Sequence, residues 1–230
     1  MKITDAPSPN FGPRNDGKRP RFLILHYTDT DDAAESLAIL QSQEKQVSAH
    51  YLLDEDGSAF RLVEEEMRAW HAGKSFWQGE RDVNSASIGI EIQNPGHGRG
   101  YRAFPAKQMA GVLELCQGIM QRHKILPQHV LAHSDIAPLR KADPGELFPW
   151  KWLAENGVGV WPKDEAPAVD GGLKDVLLRL GYDPDVPEKE LVTAFQRHFE
   201  PEVFQLPAAV GIATPRTEGR AAALLRRMYI

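Results

Sequence analysis

The sequence predicts an α/β protein in two domains: a central mixed β-sheet flanked by helices over residues 21–160, then a small three-helix bundle over residues 173–230. Three observations predict this architecture. Short apolar runs alternate with amphipathic stretches in the first region, as in a sheet covered by helices. The second region carries only helical periodicity. Between them, residues 161–172 contain proline, glycine and acidic residues without periodicity, which is typical of a linker.

The first half of the larger region predicts four strands and one helix. RFLILHYT (21–28) predicts a buried strand that ends near a histidine. DDAAESLAILQSQEK (31–45) predicts a helix, because acidic residues precede leucines at helical spacing. SAHYLLDEDGSAFRLV (48–63) predicts two strands joined at Asp56-Gly57, a common hairpin turn. SIGIEIQN (87–94) predicts the fourth strand.

The rest of the chain predicts one strand and five helices. The strand is QHVLAHS (128–134). A long amphipathic helix over residues 104–124 is introduced by a proline, and FPWKWLAENG (148–157) predicts a helix that a glycine ends. Three short helices, each with apolar residues three and four apart, follow over residues 173–182, 188–199 and 217–230.

Composition limits the class of protein. Of the 230 residues, 42% are hydrophobic and 26% are charged, as in ordinary globular proteins. The net charge of −5 argues against a general nucleic-acid-binding function, which needs a basic surface. The single cysteine, Cys116, excludes an internal disulfide and a thiolate-rich zinc site, and its apolar helical surroundings predict a core residue.

The amino-terminal segment bears on the compartment. Residues 1–20 are rich in proline, asparagine, glycine and lysine, so we predict an irregular arm without a signal-peptide core. No later window approaches the roughly 20 apolar residues that cross a membrane. We therefore expect a soluble cytoplasmic protein with no membrane span, or a periplasmic one if a leader has been removed.

Two histidines and an aspartate are candidate metal ligands. His26 lies at the end of one apolar strand, His133 follows another, and Asp143 lies in the proline-rich loop after it. Taken alone, each has an ordinary explanation: a half-buried histidine bonded to the backbone, or an aspartate in a turn. Together, two imidazoles and a carboxylate suit zinc and leave one position for water, whose pKa the cation lowers. The set therefore indicates a zinc hydrolase.

Glu91 and Lys141 are candidates for proton transfer and charge stabilisation. The isoleucines around Glu91 share one face of their strand, which places Glu91 on the other, polar face. That face meets either water or a site, and the sequence leaves both open. Lys141 precedes Asp143 by two residues and could stabilise an oxyanion there, although a solvated loop lysine is the simpler explanation.

The segment WHAG (70–73) is a further candidate. It puts an aromatic residue, a histidine and a glycine in a predicted loop. Such a loop either lines a binding cleft or uses its aromatic residue to pack on the core.

Five motifs occur in an order that resembles a known enzyme family. They are ILHYT (24–28), SAHYLLDEDG (48–57), RAWHAG (68–73), NSASIGIEIQN (84–94) and HSDIAPLRKADPG (133–145). Over roughly residues 15–160, they closely resemble the zinc-dependent N-acetylmuramoyl-L-alanine amidases of the cell-wall recycling type. Phage T7 lysozyme and peptidoglycan-recognition proteins share this family. The resemblance implies the T7 lysozyme-like amidase fold.

The resemblance also implies a role for each candidate residue. The implied roles are zinc ligands for His26, His133 and Asp143, proton transfer for Glu91, oxyanion or carbonyl stabilisation for Lys141, substrate-groove lining for His71 and Asn84, and a buried, non-ligating neighbour of the metal for His50. The implied cofactor is Zn²⁺.

The implied reaction is hydrolysis of the amide between the lactyl group of N-acetylmuramic acid and L-alanine. The expected partners are peptidoglycan fragments, chiefly anhydro-muropeptides, with intact peptidoglycan as a second substrate class. Two alternatives stay open: a muropeptide-recognition module that does not cut, and a zinc hydrolase that acts on another amide. The presence of Glu91 and Lys141 beside a full ligand set favours catalysis over recognition.

The C-terminal region resembles a three-helix peptidoglycan-binding domain more loosely. GIATPRTEG (211–219) stands where that domain has a glycine-rich turn and a threonine before its last helix. We therefore expect either a weakened binding domain or a structural bundle packed on the catalytic domain.

Overall fold

A six-stranded mixed β-sheet forms the centre of the computed structural model, which describes residues 1–162, 166–167 and 170–228. The strands are β1 (Ile3–Asp5), β2 (Phe11–Pro13), β3 (Phe22–Tyr27), β4 (Tyr51–Leu53), β5 (Ala59–Arg61), β6 (Met67–Ala69), β7 (Ser87–Ile92) and β8 (Val130–Ala132). The order across the sheet is β1-β5-β4-β7-β3-β8, while β2 pairs with β6 outside it. β4 and β5 run antiparallel and the other neighbours run parallel, which confirms the predicted mixed sheet and hairpin.

Helices cover both faces of the sheet. They are α1 (Ala33–Leu40), α2 (Val83–Ala86), α3 (Ala106–His123), α4 (His133–Ile136), α5 (Trp150–Glu155), α6 (Gly172–Leu180), α7 (Glu188–Phe199) and α8 (Pro215–Met228). Short 3₁₀ turns occur at residues 15–17, 127–129, 201–205 and 207–209. The side chain of Asp32 accepts a hydrogen bond from the Glu35 backbone and so caps α1. Cys116 of α3 is buried, as predicted, and no helix of the described ranges is long and apolar enough to cross a membrane.

The neighbouring interior strands β3 and β7 are buried on both faces. Leu23 and Leu25 of β3 join the isoleucines of β7 in an apolar cluster with α3. Phe22 and Ile24 belong to a second cluster, which contains the C-terminal helices. Because side chains alternate along a strand, His26 lies on the same face as Phe22 and Ile24. The strand therefore delivers His26 to the end of the second cluster.

Residues 1–20 differ from the predicted irregular arm. β1 pairs in parallel with β5 at one edge of the sheet, and β2 pairs antiparallel with β6. The partly buried Arg14 donates to the backbone carbonyls of Asn84, Ser85 and Ser87. The prediction was wrong because three-residue strands with exposed side chains show no hydrophobic alternation, and their partner strands supply the ordering hydrogen bonds.

Three helices fill the C-terminal region, as predicted. α6, α7 and α8 confirm the helical stretches predicted at residues 173–182, 188–199 and 217–230. Residues 229–230 of the last stretch lie outside the described residues. So do residues 163–165 and 168–169 of the predicted linker, 161–172. The division into two domains stays a prediction.

The C-terminal helices pack directly on the sheet. Leu177 of α6, Phe195 of α7 and Leu224 of α8 share one buried apolar cluster with Phe22 and Ile24 of β3. Burial of this apolar surface is the main force that holds the helices on the sheet. One hydrophobic cluster therefore extends from the sheet into the C-terminal region.

The buried carboxylate of Glu65 links the segment between β5 and β6 to α3. The oxygens of Glu65 lie 2.6 Å from Nη2 of Arg122, 2.6 Å from Nε2 of His123 and 2.8 Å from the hydroxyl of Tyr51. Burial alone would raise the pKa of Glu65, but hydrogen bonds from these three donors outweigh it and lower the pKa to about 2. The carboxylate is therefore stabilised in its charged form.

Candidate active site

Three buried side chains meet at the carboxyl end of the sheet. His26 is the penultimate residue of β3, while His133 and Asp143 belong to the metal loop, defined here as residues 133–145. Nδ1 of His26 lies 2.8 Å from Nδ1 of His133 and 3.1 Å from Oδ2 of Asp143. The last two atoms are 2.9 Å apart. The residues predicted as metal ligands are therefore arranged for metal binding.

Hydrogen bonds on the far side of each imidazole indicate which nitrogen carries the proton. Nε2 of His133 lies 3.2 Å from the carbonyl oxygen of Ala72, which only accepts, so this Nε2 donates and Nδ1 carries a lone pair. Nε2 of His26 lies 3.0 Å from Nδ1 of His71, whose own Nε2 lies 3.1 Å from the hydroxyl of Ser87. With Nε2 of His26 donating in the same way, both Nδ1 lone pairs face the carboxylate, an arrangement that a cation stabilises.

The donor set fits zinc better than a hard cation. Two imidazole nitrogens and one carboxylate oxygen are typical of catalytic zinc, whereas calcium and magnesium prefer oxygen ligands. Burial, and then the charge of His133, lowers the pKa of His26 to about 4, so its ring is neutral at neutral pH. Burial by itself would raise the pKa of Asp143, but the charges and hydrogen bonds of His133 and His26 hold it well below its usual value. His26 and Asp143 therefore have the protonation states that a metal requires.

Glu91 lies beside this centre on the neighbouring strand. β3 and β7 are in register such that His26 and Glu91 are paired, and their side chains lie on the same face. Oε2 of Glu91 is buried and has no hydrogen-bond partner among the described residues. Burial, and then the charge of Asp143, raises the pKa of Glu91 well above its usual value. The polar face of β7, which the sequence left open, therefore faces the site.

His71 is held between β7 and the WHAG loop. Its ring lies over Gly89, where an added Cβ would be 2.5 Å from Nδ1 of His71. Asn84 accepts hydrogen bonds from the backbone N–H groups of His71, at 3.0 Å, and Ala72, at 2.8 Å. His71 lines the cleft in front of the predicted metal ligands, whereas Asn84 is absent from the described residues that line it. Asn84 therefore supports the backbone of the WHAG loop and does not belong to the described lining of the cleft.

A cleft of about 360 Å³ opens in front of the predicted ligands. This volume falls in the range of small-molecule sites. Glu91, His133, Lys141 and Asp143 all line it, together with Trp70 of the WHAG loop. Lys141 is exposed, and its charge acts against the other influences on Glu91 by lowering the pKa of that group. The cleft therefore brings the predicted proton-transfer and charge-stabilising residues close to the predicted metal ligands.

His50 is a buried neighbour of the site, as predicted. Its Nδ1 accepts a hydrogen bond of 3.0 Å from the backbone N–H of Gly89, and its Nε2 lies 3.1 Å from the carbonyl oxygen of Met67. Burial, and then the charge of Arg14, lowers the pKa of His50 to about 3. Both ring nitrogens are thus engaged away from the converging ligand atoms.

Sequence reasoning missed three contributors to the site. Gly89 and Ser87 lie on the face of β7 that carries Glu91, so the two-residue alternation in SIGIEIQN could have indicated them. Arg14 donates to the carbonyl of Ser87 at 3.0 Å and lies 3.2 Å from Nε2 of His50. No pattern in the amino-terminal segment indicates Arg14.

Comparison with known proteins assigns the chain to a family. The model of the Amidase_2 family, described as N-acetylmuramoyl-L-alanine amidase, matches residues 16–146. The N-acetylmuramoyl-L-alanine amidase AmiD of Escherichia coli K12 is 37% identical over 91% of this chain and 83% of its own length. The 1,6-anhydro-N-acetylmuramyl-L-alanine amidase AmpD of the same organism is 30% identical over 63% of this chain and 86% of its own length.

Two solved structures extend the likeness to the whole fold. AmpDh3 of Pseudomonas aeruginosa has a TM-score of 0.83 at 33% identity and covers 94% of this chain and 95% of its own. E. coli AmiD, solved with a substrate, has a TM-score of 0.80 at 36% identity and covers 92% of this chain and 91% of its own. The predicted fold class is therefore confirmed. The motifs, the fold and these matches agree, and the chain belongs to the N-acetylmuramoyl-L-alanine amidase family of hydrolases.

Proposed function

We propose that this protein is a zinc-dependent amidase that cleaves the bond between N-acetylmuramic acid, in its anhydro or ordinary form, and L-alanine of muropeptides. It would act in peptidoglycan recycling or turnover. The observation that carries the proposal is the convergence of three ligand atoms beside the unpartnered Oε2 of Glu91. Two solved relatives support the substrate class. The AmiD structure holds anhydro-N-acetylmuramic acid-L-Ala-D-gamma-Glu-L-Lys, and an AmpDh3 structure holds an anhydromuramic pentapeptide.

His26, His133 and Asp143 are the residues that would hold the zinc ion. When bound, zinc would lower the pKa of a water molecule and polarise the carbonyl of the substrate. The protein itself orients the two imidazoles. His71 and the carbonyl of Ala72 accept the two Nε2–H groups, so neither ring can rotate without losing a buried hydrogen bond.

Glu91 is the group that would move protons. In the proposed reaction, its carboxylate takes a proton from the attacking water and then gives it to the alanine nitrogen as the C–N bond breaks. The products are a carboxylate on the lactyl group and a free amine on the peptide. Because burial raises its pKa, Glu91 holds a proton more readily than an exposed glutamate, which suits the second transfer.

Three further side chains support the reaction in this proposal. Lys141 lies in the cleft and stabilises the negative charge that develops on the carbonyl oxygen. His71 lines the substrate groove and orients His26. Asn84 acts indirectly, because its side-chain oxygen accepts hydrogen bonds from the backbone of the loop that carries His71.

We propose anhydro-muropeptides as the main substrate and the cytoplasm as the compartment, with intact peptidoglycan and the periplasm as the alternatives. A fragment of one sugar and a short peptide suits a cleft of about 360 Å³. Cell fractionation followed by immunodetection tests the compartment. Detection in the periplasmic fraction alone would contradict the cytoplasmic assignment.

Mass-spectrometric product analysis tests the reaction. Zinc-loaded protein and its Glu91→Ala variant are incubated with an anhydro-muropeptide and, separately, with intact sacculi. We expect the wild type to release peptide with a free L-alanine amine, and the variant to release it about 100-fold more slowly. Release from the soluble fragment alone supports recycling, and release from sacculi as well supports wall turnover.

Two outcomes would overturn the proposal. If the wild type binds the muropeptide but releases nothing, the protein is a recognition module. If it cleaves only an amide within the peptide, it is a zinc hydrolase of another specificity. Equal rates for the wild type and Glu91→Ala would leave the amidase but remove the role proposed for Glu91.

A further inference from the structure

Two consecutive residues at the end of α7 contact both ends of the metal loop. His198 reaches Asp135, two residues beyond the ligand His133. Arg197 reaches Glu146, the first residue after the loop. One helix of the C-terminal region therefore holds the start and the end of the segment that carries two of the three proposed zinc ligands.

The contact at the start of the loop is fully buried. Nδ1 of His198 lies 2.7 Å from Oδ2 of Asp135, and the two side chains are 1% and 0% exposed. The same carboxylate accepts the backbone N–H of Ala132, immediately before His133, at 2.8 Å, and the hydroxyl of Tyr182, also at 2.8 Å. Asp135 thus connects the backbone at His133 to two side chains of the C-terminal region.

Aromatic packing holds the ring of His198 in place. Its centroid lies 3.8 Å from that of Trp150 on α5 and 3.8 Å from that of Phe199, and both pairs are stacked. Because the ring is packed between these two residues, a change in the position of α7 reaches the carboxylate of Asp135. The packed ring is therefore held stiffly through Nδ1, although its buried Nε2 has no hydrogen-bond partner among the described residues.

The contact at the end of the loop reaches the strand that carries His26. Nε of Arg197 lies 3.2 Å from Oε2 of Glu146, and these side chains are 15% and 17% exposed. Glu146 also lies 3.1 Å from Nε2 of His97, whose Nδ1 lies 3.0 Å from the hydroxyl of Tyr27. Tyr27 is the neighbour of His26, so this chain of contacts connects α7 to the third ligand's strand.

We propose that Arg197 and His198 are positioning residues for the metal site, so that the C-terminal helices fix the geometry of the metal loop. This inference rests on the proposed function, because it requires that the loop bind zinc. The loop contains two prolines and one turn of helix, so the positions of its ligands depend on contacts with the rest of the fold, and α7 supplies contacts at both of its ends. A mutation far from the reacting atoms that shifts a catalytic group by about 1 Å can lower the rate about 100-fold.

Four variants of the full-length protein test the inference. His198→Leu keeps the bulk between the aromatic rings but removes the hydrogen bond, and Arg197→Met removes the ion pair but keeps the aliphatic stem. His198→Asn restores a donor at the position of Nδ1. Thr193→Ala is the matched control, because Thr193 lies on the same helix and its hydroxyl donates to the backbone carbonyl of Lys189.

The measurements are the zinc dissociation constant, by chelator competition, and the visible spectrum of the cobalt-substituted protein. We expect His198→Leu and Arg197→Met to bind zinc about tenfold more weakly and to shift the cobalt bands. We expect His198→Asn and Thr193→Ala to stay within about twofold of the wild type. The rescue by asparagine separates positioning from a mere loss of packing.

Wild-type zinc affinity and cobalt spectra in both His198→Leu and Arg197→Met would overturn the inference and leave the proposed function intact. If the wild type binds no zinc, the proposed function and the inference fall together. If His198→Leu does not fold, the Arg197→Met variant alone tests the inference, because the Arg197 side chain lies at the surface of the network.

Discussion

Replacing Gly89 by alanine would disturb the contact between β7 and the ring of His71. A Cβ at position 89 lies 2.5 Å from Nδ1 and 2.7 Å from Cδ2 of that ring. Non-bonded atoms normally lie about 3.5–4.0 Å apart, so the ring must move by about 1 Å. Gly89 has no left-handed backbone angle, so the cost is purely steric. The movement breaks the 3.0 Å contact with Nε2 of His26 and the 3.1 Å contact with Ser87.

The expected loss follows from these two effects. Overpacking costs about 1–3 kcal/mol, and the loss of a buried hydrogen bond costs about 1–3 kcal/mol. We therefore expect Gly89→Ala to lower the free energy of unfolding by about 2–6 kcal/mol, measured by urea unfolding of the metal-free protein. Because His26 loses the acceptor that orients it, we expect the zinc affinity to fall about 10–100-fold in chelator competition.

A double-mutant cycle with His71→Ala isolates the clash. Without the ring, Gly89→Ala should cost almost nothing. Gly12→Ala is the matched control, because Gly12 also lies in a strand and an added Cβ there has no atom of the described residues within 4 Å. Its effect should stay within about 0.5 kcal/mol. An equal cost of Gly89→Ala with and without the His71 ring would show that the cost does not come from the clash with that ring.

Three further predictions concern charge and metal. The pKa of Glu65 is lowered from 4.5 to about 2, so its carboxylate contributes about 3 kcal/mol to stability above pH 4.5, and this contribution disappears as the pH falls toward 2. Urea unfolding across this range should show that Glu65→Gln is less stable than the wild type at neutral pH and equally stable in acid. The exposed control Glu64→Gln should show no such change with pH. A stability difference between Glu65→Gln and the wild type that stays constant with pH would contradict the assignment. Lys141→Met should lower kcat about 100-fold with little change in KM in steady-state assays, and a change in KM alone would argue against charge stabilisation in the transition state. EDTA should lower the Tm and added zinc should restore it, because a ligand that binds the folded state stabilises it; an unchanged Tm would count against the metal site.

The fold was predictable wherever a segment carries its own hydrophobic pattern. The run around His26 and the long amphipathic helix α3 are each long enough to show what they bury. β1, β2 and β6 were not predicted, because each has three residues and gains its order from a partner strand that is distant in the sequence. Local propensity contains no information about that partner.

The site was predictable at the level of residue types and not at the level of contacts. Histidines and an aspartate after apolar strands indicate ligands, and the motif order indicates the family. The contact between His26 and His71 joins residues 45 positions apart, and that between Asp135 and His198 joins residues 63 positions apart. Asn84 shows the same limit, since only the folded loop reveals that its amide oxygen serves the backbone.

The two unlike faces of β7 have a consequence for misfolding. A slip of one residue against β3 would exchange the faces, turning the isoleucines toward the cleft and Glu91 toward α3. Such a register would bury a carboxylate in an apolar layer and lose the apolar contacts that hold the layer together. Chains with the wrong register should therefore be removed by instability rather than accumulate as inactive but well-folded protein. In a preparation of this enzyme, the folded fraction and the catalytically competent fraction should be the same molecules.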